Sequence, residues 1–318
     1  MSEDRPRLTA FLHPRYWPAW LGIAVLRLAC LLPYRAQMRL GRALGGLAAS
    51  LLPKRVAVAR RNIGLCFPEK SADEVEALTR AHFRSLGMSL LETASAWWRG
   101  DAFIARLATI EGAEHVHRAV EQGRGAILLT AHFTTLEFSG PVLYMNLPPF
   151  DAVYRKHRSP LVNEIWRRGR ERSARRTIEK SDIKTMVRSL REAVPVWYAP
   201  DQSYRRKQSE LIPFMGEPAM TNTATSALAK LGKAVVLPLF PRRLPDDAGY
   251  RITVYPPLAD FPSGDPVADA ARYNEMVGEW IREAPAEYYW VHRKFKGRPD
   301  SLPDAYADLR SADRGSRA

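Results

Sequence analysis

The chain has 318 residues, 46% of them hydrophobic and 26% charged, which excludes a globally disordered protein and is enough to bury a full core. Its formal net charge of +14 comes from two stretches: residues 1–61 carry eleven Lys and Arg against two acids, and residues 155–176 carry nine against two. Such patches select anionic partners; with no Cys/His finger spacing, RNA-binding aromatic signature or basic-region heptads, they point away from nucleic acid and toward a membrane surface, an acidic protein or a phosphorylated substrate.

Tyr16 to Tyr34 reads YWPAWLGIAVLRLACLLPY, apolar with aromatic residues at both ends. The fourteen residues between Pro18 and Pro33 make roughly 21 Å of helix, short of the roughly 30 Å hydrocarbon core. Arg27 lies inside this segment, and a mid-membrane arginine costs at least about 2.5 kcal/mol. A tilted span and an interfacial helix both fit, and a buried amphipathic helix is the third reading. Pro33-Tyr34-Arg35 is a poor context for signal-peptide cleavage. Cys30 and Cys66 alone give neither a disulfide framework nor a metal box, which suits a reducing compartment.

Ser71-x-x-Glu74 has the spacing of a capping box and opens a helix expected to run to about Trp98. Beyond it the pattern alternates. Strands are expected at 125–130, 150–154, 194–199, 234–240 and 250–255, and helices at 135–144, 161–173, 183–192, 222–231 and 267–283. That order predicts an α/β fold with a mixed, mostly parallel sheet flanked by helices. We divide the chain into an N-terminal membrane-associated helical arm (1–61), a main domain (62–302) and a polar, frayed tail (303–318).

The segment 126–140, AILLTAHFTTLEFSG, carries the most specific chemistry. His132 follows a short apolar run and Glu137 stands five residues on. On one continuous helix the two would lie about 140° apart, so they meet only if His132 precedes the helix. Thr134-x-x-Glu137 has capping-box spacing, which places Thr134 at the N-cap and lets Glu137 fold back on the ring of His132. A histidine there, at the carboxyl end of a strand, is placed to act as a general base. The bland alternative is a cap and a turn. No Ser or Cys stands in a nucleophile elbow, which favours direct attack by an acceptor hydroxyl over an acyl-enzyme. His115-x-His117 reads as a polar helix surface and not as a metal site.

AHFTTLEFSG resembles the His-x4-Asp/Glu box of glycerolipid-type acyltransferases, in the Glu form of the late lipid A biosynthesis acyltransferases of Gram-negative bacteria. The resemblance continues through HPRYW at 13–17, RNIGLCFPE at 61–69, YRKHRSPLVNEIWRRGRER at 154–172, VWYAPDQSY at 196–204, PFMGEPAMT at 213–221, LPLFPRR at 237–243 and YYWVHRKFKGRP at 288–299. It implies a glycerolipid-acyltransferase-like fold and an enzyme at the cytoplasmic face of the inner membrane. It also implies transfer of a fatty acyl chain from acyl carrier protein to a hydroxyl of a lipid A precursor, with no cofactor and no metal. His132 is then the base and Glu137 its orienter. Arg170 clamps a phosphate or polarises the thioester carbonyl, and Asp201 holds Arg170. Arg155, Lys156, Arg167, Arg172 and Arg293 become candidates for the anionic headgroup or the acidic carrier. The stretch His292-Arg293-Lys294 with Lys296 and Arg298 either joins them or faces solvent. Where the family commonly continues after Pro-Asp with an acidic residue and a glycine, this chain has Gln202-Ser203-Tyr204-Arg205, a departure that bears on the headgroup. Another glycolipid or an aminolipid as acceptor, and a catalytically silent basic membrane-binding protein, are the competing readings.

Overall fold

The computed structural model describes residues 6–203 and 208–309, so Tyr204 and Arg205 lie outside the described residues. Four helices lead into the fold: α1 (Trp17–Ala29), α2 (Tyr34–Leu51), α3 (Pro53–Cys66) and α4 (Ala72–Trp98). After α5 (Asp101–Ala105) strands and helices alternate: β1 (Ala108–Glu111), α6 (Ala113–Glu121), β2 (Ala126–Leu129), α7 (Leu136–Asn146), β3 (Asp151–Tyr154), α8 (Pro160–Glu171), β4 (Arg176–Glu179), α9 (Ile183–Arg191) and β5 (Val196–Tyr198). A hairpin of β6 (Ser209–Phe214) and β7 (Glu217–Asn222) precedes α10 (Ala224–Gly232), β8 (Val235–Arg243), β9 (Tyr250–Val254) and α11 (Pro266–Glu283).

Seven strands form one sheet in the order β1-β9-β8-β2-β5-β3-β4. All its neighbours run parallel except β8 and β9, so the sheet is mixed and mostly parallel as expected. Central β2 is buried at every position. Ile127 and Leu129 join the core packed by α3, α9, α10 and α11, and Ala126 and Leu128 join the opposite core with α6 and α7. This two-sided burial explains the uninterrupted apolar run. The short strands β1 and β4 and the β6–β7 hairpin escape the sequence reading. β1 and β4 are half-exposed edge strands with charged residues, and prolines and a glycine punctuate the hairpin.

The expected capping box at Ser71 forms: Glu74 N–H donates to Ser71 Oγ (3.3 Å) and Ser71 N–H to Glu74 Oε2 (2.8 Å). The N-terminal division needs correction. Residue 61 falls inside α3, whose Val58, Ala59 and Ile63 enter the main core, so no boundary lies there. Helix α2 is also bound tightly. A Cβ on Gly87 of α4 would come within 2.0 Å of Gly41 O, and one on Gly45 within 2.0 Å of Phe83 O. Only glycine permits this helix–helix approach. The Gln37 amide, itself accepting from Ser95 Oγ, donates to the Cys30 and Leu32 carbonyls (2.8 Å each) and closes the α1–α2 turn.

Helix α1 has no fully buried residue and joins neither main core; Ala19, Trp20 and Ile23 on one side pack against Phe11, Tyr16 and Leu161. Trp17, Leu21, Val25 and Leu28 follow one helical stripe and are 55–68% exposed; Leu32 in the turn after it and Leu47 and Leu51 of α2 are exposed as well. No helix among the described residues is long and apolar enough to cross a membrane. The tail also needs correction. Ala305 and Tyr306 are buried, with the Tyr306 hydroxyl donating to Asn62 Oδ1; of the expected tail, residues 310–318 lie outside the described residues.

Candidate active site

Strands β2 and β5 are parallel neighbours, and Leu129 pairs with Tyr198. His132 and Asp201 each stand three residues beyond that pair, so both chains leave the sheet at the same edge and the two side chains meet. His132 Nδ1 lies 2.5 Å from Asp201 Oδ1. The aspartate is buried, whereas the histidine side chain is one-third exposed. With Asp201 accepting from Nδ1–H, Nε2 is the nitrogen that carries a lone pair, and it makes no hydrogen bond among the described residues. Burial opposes ionisation of Asp201, but the adjoining His132 ring and the ammonium of Lys294 more than offset it and hold the carboxyl below the usual range.

This corrects the expected partnership. Glu137, in the first turn of α7, does not fold back on His132. It accepts from Arg170 of α8, whose Nε donates at 3.1 and 3.2 Å to its two oxygens and whose Nη2 forms the closest contact. Arg170 Nη1 also donates to the Val153 carbonyl of β3 (3.1 Å). The four residues singled out in the sequence therefore do form two acid–base pairs, with partners exchanged: Asp201 holds His132, and Glu137 holds Arg170. Both are first-choice pairings physically, since an imidazole meets a buried carboxylate and a guanidinium chelates one. The Glu137–Arg170 pair stands at a cleft walled by Trp97, Gly140, Phe150 and Trp197.

The expected Thr134 cap is also corrected. Thr135 occupies the N-cap of α7 without a side-chain cap bond and instead donates to the Pro241 carbonyl (3.0 Å). Thr134 is drawn backwards. Its hydroxyl meets Ser85 Oγ (2.7 Å) and accepts from Arg243 Nη1 (3.0 Å), while its N–H donates to the Glu287 carbonyl (2.7 Å). Arg243 sits on a carboxylate fork, donating Nε and Nη2 to Glu92 at 2.5 and 2.6 Å, and its backbone N–H donates to Glu287. The His132 turn thus rests on a buried charged cluster drawn from α4, β8 and the segment after α11. Tyr289 N–H fastens the His132 carbonyl from the same segment (2.9 Å). None of Glu92, Arg243 and Glu287 was singled out in the sequence; the two arginines ending the apolar strand LPLFPRR are the signal that was available.

The headgroup candidates separate in the structure. Arg167 is occupied by Glu164 and Glu171, and Arg172 by Asp101 and the Trp97 carbonyl. Arg168, Arg175 and Arg176 likewise have carboxylate partners. Arg155 and Lys156, on the loop after β3, are exposed and have no carboxylate partner among the described residues. Arg293 lies over the Tyr306 ring, 5.7 Å from its centre. The stretch 292–298 does not face solvent as a unit: Lys294 is 2% exposed, and Arg298 is bound to Glu217 (2.8 Å).

With this geometry in place, comparison with known proteins is direct. The profile of a family described as bacterial lipid A biosynthesis acyltransferase matches residues 5–297. The chain is 41% identical over 299 residues to the lipid A biosynthesis lauroyltransferase of Escherichia coli (strain K12), covering 94% of this chain and 97% of that one. It is 39% identical over 290 residues to the lipid A biosynthesis palmitoleoyltransferase of the same organism, with 91% and 94% covered. Against that organism's lipid A biosynthesis myristoyltransferase the identity is 29% over 296 residues, with 91% and 90% covered. The alternation of strands and helices, the paired residues at one sheet edge and this end-to-end similarity lead to one conclusion: the chain belongs to the bacterial lipid A biosynthesis acyltransferase family and is an acyltransferase.

Proposed function

We propose that the enzyme transfers a fatty acyl chain from acyl carrier protein to a hydroxyl of a Kdo-bearing tetraacyl lipid A precursor, with His132 as general base. The observation that carries this reading is a histidine whose Nδ1 is held by a buried carboxylate while Nε2 is left open. Nε2 takes the proton of the acceptor hydroxyl as its oxygen attacks the thioester carbonyl carbon. Asp201 stabilises the resulting imidazolium. The tetrahedral intermediate collapses with breakage of the C–S bond, and the imidazolium returns the proton to the departing thiolate. Arg170, fixed by Glu137 and the Val153 carbonyl, brings a permanent positive charge to the same edge of the sheet for the developing oxyanion or a substrate phosphate.

Arg155 and Lys156 supply further charge for the anionic substrates, and the apolar wall of Trp97, Phe150 and Trp197 suits a hydrocarbon chain. The exposed stripe of α1 rests in the interface of the inner membrane on its cytoplasmic face, where the acceptor lies. Each large apolar side chain so buried contributes about 1.5–3 kcal/mol.

The test is an acyl-transfer assay with labelled acyl carrier protein and the Kdo-bearing tetraacyl precursor. Wild type transfers label to the lipid and His132→Ala loses nearly all transfer. Undiminished transfer by His132→Ala would sink the mechanism.

A further inference from the structure

The most anomalous charge in the molecule is Lys294. Its side chain is buried, yet the structure gives its ammonium one hydrogen bond: Nζ donates to the Asp201 main-chain carbonyl at 2.6 Å. The ammonium also sits over the Phe214 ring, 4.0 Å from its centre, which is the geometry of a cation–π contact. An ammonium with three donors and one acceptor is an expensive thing to bury for structural ends alone, because burial opposes its charge and lowers it to about 8. Its surroundings show what the charge faces. Asp201 is the nearest compensating anion, and His132, held on Asp201 Oδ1, lies beyond it. Tyr288 donates to Asp201 Oδ2 (3.1 Å), and Tyr273 and Cys66, at the end of α3, complete the shell with His292 and its neighbour Lys296.

Most of these groups are silent near neutral pH. Burial raises the Tyr273 and Tyr288 phenols and the Cys66 thiol, and lowers His292 to about 4. Near neutral pH Lys294 and Asp201 are the buried charged pair of the pocket, with Lys296 a further cation beside His292. The pair is neutral together, so the proton that His132 accepts adds a positive charge beside Lys294.

We propose that Lys294 is a positioning residue of the acyl transfer: it anchors the Asp201 backbone beneath His132 and balances the Asp201 carboxylate that holds the imidazole. The inference rests on His132 acting as the general base. Replacing Lys294 by the nearly isosteric Met removes the charge and the hydrogen bond together.

The experiment compares wild type, Lys294→Met and His132→Ala in the acyl-transfer assay across pH 5–9, with circular dichroism reporting the fold. For folded Lys294→Met, kcat falls at least about tenfold while KM stays within about twofold. The acidic limb of the pH–rate profile moves up by about one pH unit, since loss of a nearby cation stabilises the imidazolium. A folded variant with wild-type kcat and an unmoved acidic limb overturns the proposal. If Lys294→Met fails to fold, Lys294→Gln is measured in its place by the same criteria, and loss of fold in both makes the ammonium structural and also overturns it. His132→Ala separates the two readings: an inactive His132→Ala beside a normal Lys294→Met defeats this inference alone, and an active His132→Ala defeats the general-base reading.

Discussion

The two sides of the His132 turn are built from the same kinds of residue and differ in what is left over. Behind the turn, Arg243 is enclosed by Glu92, Glu287, Ser85 and Thr134, and Tyr250 donates to Glu92 Oε1 (2.7 Å). In front, His132 gives one nitrogen to Asp201 and keeps the other open on a ring that is one-third exposed. A charged group with every valence satisfied inside the protein can only hold structure. One that retains an unused lone pair at the surface can take a proton. The rear cluster makes the front geometry repeatable because Thr134, two residues from His132, is bound into it.

That contrast predicts loss of activity without loss of fold in front, and the reverse behind. Asp201→Asn keeps the shape of the pocket but removes the charge that stabilises the imidazolium and balances Lys294; kcat should fall by roughly 10²–10⁴ while circular dichroism still reports a folded protein. Loss of the fold in Asp201→Asn would erase the distinction. Arg243→Met leaves the Glu92 and Glu287 carboxyls buried without their counter-ion and should destabilise the protein by about 3–5 kcal/mol in denaturant titration. Unaltered stability would show that the rear cluster is not a scaffold.

The smallest effect is a pH dependence. Burial lifts the Glu287 carboxyl from 4.5 to about 7, against the pull of Arg243. Between those values the folded protein holds a proton that the unfolded chain has released, so this group's contribution to stability declines as pH rises from about 4.5 to about 7 and levels off above. Glu287→Gln cannot titrate. The difference in unfolding free energy between wild type and Glu287→Gln should therefore change by about 1–3 kcal/mol across that window, wild type losing ground with rising pH. A constant difference would mean that Glu287 is ionised throughout.

The fold was legible in the sequence because buried parallel strands are continuous apolar runs and helices such as α8 and α9 have clear periodicity. The four residues His132, Glu137, Arg170 and Asp201 were legible as a set, yet their pairing was not. Sequence proximity suggested Glu137 for His132, whereas the partner of His132 is fixed by strand register: β2 and β5 must lie side by side with Leu129 opposite Tyr198 before Asp201 can arrive. Arg243 and Lys294 were illegible for a related reason. Arg243 ends an apolar strand and Lys294 stands in a basic stretch that reads as surface, and only long-range packing shows that one closes on Glu92, 151 residues away, and the other on Asp201, 93 residues away. The exposed stripe of α1 was legible as apolar, but its failure to join either core follows only from how α2 docks on α4.

The most direct test of the central pairing is the low-field proton NMR signal of the His132 ring N–H. A short bond to a buried carboxylate places the Nδ1–H resonance far downfield. It should be present in wild type and in Glu137→Gln, and absent in His132→Ala and Asp201→Ala. Loss of that resonance in Glu137→Gln with its survival in Asp201→Ala would contradict the account.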